Sequence, residues 1–273
     1  MLQKTNFEDF KMNKNNIFFA FRALKVFFLV MAAAVLPLSA NANGGYEKLK
    51  IKAERFYSYG EWESASAAYE LILMQKFDDV DAYSRAITVK GILGRSDEQI
   101  AVVEQSQKNG ISMMDIFKSV RLLSYSLGKP KIYESFLLIM KEKQPWMRRS
   151  INVMLAEYYS QRNNAPKMVA YADTLLSTRA DDLFALRIKS RGQMLRDDYV
   201  SSVSTNDRII ALEPTDFEAY LNNGVYFFNM WKAAGMASDK SSAIHYLSKA
   251  YKLRNTPYLK ERLVDLGVIS VED

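Results

Sequence analysis

The sequence contains no cysteine among its 273 residues. This absence excludes a disulfide framework, a metal site built on thiolates, and a lipid-modified cysteine after a leader segment. An exported chain without disulfides is held together by its packed core, and this chain is long enough to form one. The lack of cysteine also suits a protein of the bacterial cell envelope.

Histidine occurs once, as His245, and familiar catalytic motifs are missing. Without cysteine or a second histidine, His245 cannot anchor one of the common zinc sites. The sequence has no phosphate-binding glycine loop, no H-E-x-x-H motif and no nucleophile elbow. A Ser–His pairing and acid/base work by a lone glutamate stay open as alternatives. We assign His245 a surface or packing role and expect a non-catalytic protein without metal or cofactor.

Long apolar runs are also missing, and the longest one lies near the start, at residues 26–38. Thirteen helical residues measure roughly 20 Å, short of a hydrocarbon core of about 30 Å. Basic residues precede the run, and Ser39-Ala40-Asn41-Ala42 follows it. A basic flank, a short apolar stretch and small residues two apart predict a secretory signal peptide over residues 1–42, cleaved after Ala42.

The leader leaves two alternatives open. It is either cleaved or retained as a membrane anchor, and the chain starts at either Met1 or Met12. With cleavage, we expect an exported protein of the periplasm or cell envelope that has no stable membrane span.

The excess of positive charge is small once the leader is set aside. The whole chain carries a formal charge of +6. Residues 1–42 hold five Lys or Arg and two acidic residues, so they account for +3 and leave +3 for the rest. The remaining basic residues are interspersed with acids. A nucleic-acid partner is therefore not expected.

Three glycines, Gly60, Gly94 and Gly128, lie 34 residues apart. Each separates two segments with helical apolar periodicity, and glycine is common where a helix ends. The first such pair is predicted as helices Tyr46–Tyr59 and Trp62–Lys76. A helical corner every 34 residues predicts an array of stacked helix–turn–helix units.

Aspartates recur where the first helix of a unit is expected to begin. Asp78-Asp79-Val80-Asp81 could form a cation site, but Asp181-Asp182 and Asp216 occupy equivalent positions in later units. Acidic side chains there cap backbone N–H groups and complement the helix dipole. We therefore predict helix capping rather than cation binding.

These residues resemble the tetratricopeptide repeat (TPR) family. The resemblance covers about residues 46–256, and its first unit is carried by Ala53, Phe56, Gly60, Trp62, Ala65, Tyr69 and Ile72. Later units supply Gly128, Pro145, Asn163, Pro214, Gly224 and Ala243. The resemblance implies an all-α, right-handed superhelical solenoid of about six helix pairs, closed by a capping helix at 258–266. The expected organisation is a linker at 43–45 followed by a repeat domain at 46–273.

The resemblance also implies a partner-binding groove lined by the first helix of each pair. Carried over residue by residue, the groove positions are Lys50, Glu54, Tyr57, Lys118, Leu122, Tyr125, Arg187, Arg191 and Phe228. Basic residues alternating with aromatics would suit a peptide with acidic groups or a free carboxylate. An ordinary solvated face is the alternative interpretation.

The function predicted from the sequence is that of an exported, TPR-like scaffold for a protein or peptide partner. Two other functions stay open. One is a scaffold within an envelope assembly or secretion machine, in which the termini also bind. The other is a glycan-binding or glycan-hydrolysing repeat protein that uses the tyrosine-rich surface.

Overall fold

The computed structural model describes residues 42–270, and within them the chain forms thirteen α-helices and no strand. The helices are α1 (Ala42–Tyr59), α2 (Trp62–Gln75), α3 (Val80–Ile92), α4 (Ser96–Lys108), α5 (Met113–Ser126), α6 (Lys131–Lys143), α7 (Arg148–Gln161), α8 (Ala165–Thr178), α9 (Leu183–Met194), α10 (Tyr199–Leu212), α11 (Phe217–Ala234), α12 (Ala237–Leu253) and α13 (Pro257–Asp265), with a 3-10 turn at Pro145–Met147 before α7. They form six consecutive pairs and a final single helix. The predicted all-α repeat architecture is confirmed.

The corner inside each pair uses a residue with a left-handed backbone. Gly60, Gly94 and Gly128 have φ of 73°, 69° and 65°, a region that side chains with a Cβ rarely adopt. The next two corners use Asn163 (φ 52°) and Asp197 (φ 59°), the residue types that tolerate this conformation best after glycine. The predicted role of Asn163 as a glycine substitute is therefore confirmed, whereas Asp197 was not anticipated.

Two predicted boundaries differ from the structure. Helix α1 begins at Ala42, so residues 43–45, predicted as a linker, lie in its first turn. Glycines are tolerated there because the first N–H groups of a helix lack intrahelical partners in any case. The final helix runs from Pro257 to Asp265, one residue earlier than predicted. The predicted leader over residues 1–42 falls almost entirely outside the described residues.

The aspartates that were predicted to cap helices form capping hydrogen bonds in the structure. The backbone N–H groups of Ala82, Ala185 and Ala219 donate to Asp79, Asp182 and Asp216 at 3.0, 3.2 and 2.9 Å. These three carboxylates begin α3, α9 and α11, the first helices of their pairs.

Each of these buried caps also receives a basic side chain from the first helix of the preceding pair. Lys50 Nζ lies 3.6 Å from Asp79 Oδ2, and an Arg187 guanidinium nitrogen lies 2.7 Å from Asp216 Oδ2. Arg149 binds Asp182 in the same way. We call this arrangement the cap link. It joins neighbouring first helices through one carboxylate that caps a helix and forms an ion pair.

A polar seam crosses the packing between α9, α10 and α11, where the apolar core narrows to a small cluster of Leu186, Ile209 and Ala219. Apolar clusters are centred before it, on residues 53–168, and after it, on residues 220–266. In the seam, the Ser190 hydroxyl donates to Asn206 Oδ1 at 2.6 Å, and the Asn206 amide donates to Asn223 Oδ1 at 2.8 Å. Asn223 and Tyr246 then both donate to Asp207 Oδ1, at 2.9 and 2.7 Å. A buried network of this kind fixes one register between helices, since sliding would leave polar groups unpaired.

The described helices include none that is both long enough and apolar enough to cross a bilayer. His245 lies exposed on α12, its ring edge-on to Tyr246 with centroids 5.0 Å apart.

Candidate partner-binding surface on the first helices

The first helices of successive pairs are cross-linked through exposed polar side chains. Arg121 on α5 reaches Glu157 on α7 at 3.2 Å, and the Tyr125 hydroxyl donates to Gln161 Oε1 at 3.1 Å. From α9, Arg191 donates to Asn163 Oδ1 at 2.8 Å. These contacts place α5, α7 and α9 side by side with one face toward solvent.

Two of the predicted groove cations are engaged inside the chain. Lys50 and Arg187 are the basic members of cap links, and Arg187 also bonds Glu213 at 2.8 Å. The hydrogen bond to Asp216 raises the pKa of Arg187. At Asp79, burial acts to raise the carboxyl pKa, but hydrogen bonds from Tyr46 and the Ala82 N–H outweigh it and lower the pKa. Both cations therefore serve cohesion of the stack.

Two of the predicted groove aromatics are buried. Tyr57 is 6% exposed and packs edge-on against Trp62 and Tyr69, with centroids 5.6 and 6.3 Å away. Phe228 is 5% exposed and packs edge-on against Trp231 at 5.8 Å. Their rings support the stack, and Tyr57 also lines the wall of a concavity together with Glu54 and Arg85.

Replacing Tyr57 with Phe is expected to stabilise the protein. The Tyr57 hydroxyl is buried without a hydrogen-bond partner in the structure, and such a group costs about 1–3 kcal/mol. We expect Tyr57→Phe to raise the free energy of unfolding by about 1 kcal/mol in urea titration. Tyr159→Phe is the matched control, because its hydroxyl bonds Glu134 and Lys167, and it should destabilise. A loss of stability in Tyr57→Phe would contradict this assignment.

The middle set of predicted residues remains accessible. Lys118 and Leu122 lie exposed on α5, and Leu122 is 62% exposed. Tyr125 is 39% exposed despite its bond to Gln161. These three side chains share one face of α5, as the resemblance implied.

The structure has concavities of similar size in two places. One, of about 540 Å³, lies at the first helix pair beside Glu54 and Tyr57. The other lies further along, between α9, the start of α10, α11 and the final helix α13. It measures about 530 Å³, and we call it the C-terminal groove. It is lined by Met194, Tyr199, Leu221, Asn222, Val225, Tyr226, Asn229, Met230 and Tyr258. Helix α11 supplies its floor with two adjacent stripes of residues spaced by four, one through Val225 and one through Tyr226.

The lining of the C-terminal groove carries no charged residue. Its wall includes a stacked aromatic pair, Tyr199 and Tyr226, with centroids 5.9 Å apart and rings inclined by 19°. Asn222 and Asn229 form no hydrogen bond to the described part of the chain, so their amides can pair with a ligand backbone. An apolar floor with a few free amides suits an uncharged segment.

The sequence pattern did not predict this groove, although it placed one predicted partner-binding residue, Phe228, on the same helix, α11. Phe228 was assigned to the surface, whereas the groove residues lie on an adjacent face of α11. Tyr226, Phe227 and Phe228 are consecutive aromatics, so helix α11 is apolar on more than one side and its outward face is not evident from hydropathy. The residue spacing through Leu221, Val225 and Asn229 was the available signal.

Solved structures with a similar arrangement include TPR proteins of low sequence identity. The C-terminal part of a TPR repeat-containing protein from Cytophaga hutchinsonii is 13% identical, with 78% of this chain and 83% of that chain covered and a TM-score of 0.48. A tetratricopeptide repeat protein from Parabacteroides merdae is 16% identical, with 82% and 99% covered and a TM-score of 0.39.

A third similar structure is the TPR2AB domain of yeast Sti1 in complex with pHSP90. It is 12% identical, covers 82% of this chain and 99% of that chain, and has a TM-score of 0.35. No protein-family model matches the chain, and no curated protein does. The chain is thus similar to tetratricopeptide repeat proteins in its stacked helix pairs. Its thirteen described helices define the fold.

Proposed function

We propose that the chain is a non-catalytic scaffold that binds a protein or peptide segment in the C-terminal groove. The observation that carries this proposal is a concavity of about 530 Å³, formed mainly by α11 with residues of α9, α10 and α13, and lined by apolar, aromatic and amide side chains. A few buried aromatic anchors supply most of the affinity in such sites. The Sti1 domain, solved with a bound partner, illustrates the class of interaction.

The bound segment should be apolar and uncharged at the contact. The acidic ligand favoured by the sequence pattern required free cations, and Lys50 and Arg187 are engaged by Asp79 and Asp216. With no charged side chain in the lining, we expect the affinity to change little between low and high salt.

The test is selection of peptides from a displayed random library against the described domain. Selected peptides should be apolar or aromatic, and Tyr226→Ala combined with Met230→Ala should weaken their binding by about tenfold or more in titration calorimetry. The matched control is Leu122→Ala with Tyr125→Ala on α5, which should bind within about twofold of wild type. Circular dichroism must show equal helicity in all three proteins.

Each outcome assigns the interface. Loss of binding in the α5 variant alone would transfer the site to the Lys118, Leu122 and Tyr125 face. Binding retained by both variants would contradict a site on the first helices. Selection of acidic peptides would contradict the uncharged groove.

We further propose export to the cell envelope, supported by the leader pattern of residues 1–42. Within that setting, the scaffold either receives a single peptide or joins a larger envelope assembly. Fusion of residues 1–42 to a periplasm-dependent reporter tests export independently of binding, and an inactive reporter would overturn it.

A further inference from the structure

The connection between α6 and α7 presents a tryptophan to solvent. Trp146, in the 3-10 turn, is 72% exposed and forms no ring contact within the described chain. Tryptophan is highly buried on average in folded proteins, so a ring with this exposure is unusual.

This tryptophan is held on an ordered connection. The neighbouring Gln144 is only 4% exposed, and its side-chain amide pairs with that of Gln107 at 3.3 and 3.4 Å. The Met147 N–H donates to the Gln144 carbonyl at 3.0 Å, and Pro145 fixes its own φ. The backbone that carries Trp146 is therefore ordered, which lowers the entropic cost of using the residue as an anchor.

Positive charge surrounds the tryptophan. Residues 141–149 contain four basic side chains and one acid. Lys143 and Arg148 are exposed and form no ion pair within the described chain. Arg149 is engaged by Asp182, and Lys141 lies over the Tyr171 ring at 4.9 Å. Lys143 and Arg148, which form no ion pair among the described residues, thus precede and follow Trp146 in the sequence.

Equivalent connections extend the same edge of the array. Phe77, between α2 and α3, is 64% exposed, and Met114, at the start of α5, is 53% exposed. Phe77 lies between Lys76 and Asp78 in sequence, and Met114 is followed by Asp115, so neither connection has an excess of positive charge. The Gln107–Gln144 pair joins the end of α4, just before the connection to α5, to the connection between α6 and α7. Of these three connections, the one that carries Trp146 has the excess of positive charge.

We propose that this edge docks on the surface of a bilayer that contains anionic lipid, with Trp146 as its anchor. Tryptophan favours the headgroup region, where its ring is apolar and its N–H stays hydrated. Basic residues beside it are attracted to anionic headgroups, so Lys143 and Arg148 match the surface in charge. The edge lies at the inter-pair connections, away from the C-terminal groove, so a docked molecule could still bind a segment there.

The test is co-sedimentation of the protein, without its leader, with vesicles of phosphatidylcholine alone or mixed with phosphatidylglycerol. Binding should require phosphatidylglycerol. Trp146→Ala should weaken partitioning by roughly tenfold, and Lys143→Ala with Arg148→Ala by roughly thirty-fold at low salt. Lipids brominated in the acyl chain should quench tryptophan emission in wild type and not in Trp146→Phe.

Matched controls separate docking from general attraction. Lys129→Ala with Lys131→Ala removes the same charge at the opposite end of α6, and Tyr59→Ala removes an aromatic that is 73% exposed. Both should bind within about twofold of wild type. Equal loss in these controls, or equal binding to phosphatidylcholine alone, would overturn the proposal. Failure of the wild type to bind either vesicle would also overturn it.

Discussion

Above about pH 10 the helices are expected to be lost cooperatively, because several buried tyrosines resist ionisation. Burial raises the pKa of Tyr57, Tyr133, Tyr158 and Tyr159 to about 12. Hydrogen bonds to Glu134 add to the effect at Tyr158 and Tyr159, since an ionised phenol would repel that carboxylate. In the unfolded chain the tyrosine pKa is about 10.

The sign follows from which state releases its protons first. A tyrosine whose folded pKa is raised contributes its full stability below pH of about 10, and this stability is lost as the pH rises toward about 12. A typical domain is stable by only about 5–15 kcal/mol, so four such groups make the loss of stability with rising pH steep. Alkaline unfolding should therefore be complete before these four residues would titrate in the folded state.

The measurement is a parallel titration of tyrosinate absorbance and far-ultraviolet circular dichroism. Most of the absorbance should appear in the same pH interval in which helicity falls, whereas the chain in urea should titrate near its ordinary pKa. Tyr57→Phe removes one of the four groups, so its loss of stability with pH should be shallower. Full tyrosinate absorbance in a chain that keeps its helicity would refute the prediction.

A single methyl group at Gly224 should weaken the C-terminal half of the array. A Cβ built there would lie 2.6 Å from Leu247 Cδ2 and 3.0 Å from the Leu247 backbone nitrogen. A side chain can move, but the backbone of α12 cannot shift without disturbing the helix pair. We expect Gly224→Ala to lower the free energy of unfolding by about 1–3 kcal/mol in urea titration, and Gly224→Val to lower it further.

Gly45→Ala is the matched control, since nothing lies within 4 Å of its added Cβ. In α1 this change should stabilise by up to about 1 kcal/mol, because alanine favours the helix. Gly224→Ala should also reduce peptide binding, since the groove residues lie on the same helix, α11. Stability equal to wild type in Gly224→Ala would mean that α11 and α12 can separate without cost.

The repeat architecture could be predicted because its signals are local. A left-handed corner residue and a capping aspartate each act within a few positions of the chain, so Gly60, Asn163 and Asp79 identify their own structural roles. The helix periodicity of each segment likewise needs no knowledge of distant residues. These features together predicted the number of pairs and the caps.

The surface could not be predicted as well because exposure depends on neighbours far along the chain. Tyr57 is covered by Tyr69 of its own pair, and Arg187 meets Asp216 in the next. On α11, a shift of two positions around the helix separates the buried Phe228 from Tyr226, which lines the groove. A pattern that assigns helices correctly can still assign their faces incorrectly by that amount.

The cap link has a consequence for how the molecule would yield under load. The three links each join one first helix only to the next, at α1–α3, α7–α9 and α9–α11, and in a repeat array each unit packs mainly on its neighbours. A pulling force on either terminus would therefore detach helix pairs one after another from that end. The energy absorbed would grow with the number of pairs, while the peak force would be set by one junction. Under force, such a chain would unfold one helix pair at a time. When the force is removed, each pair would refold by stacking on the pairs that remain folded.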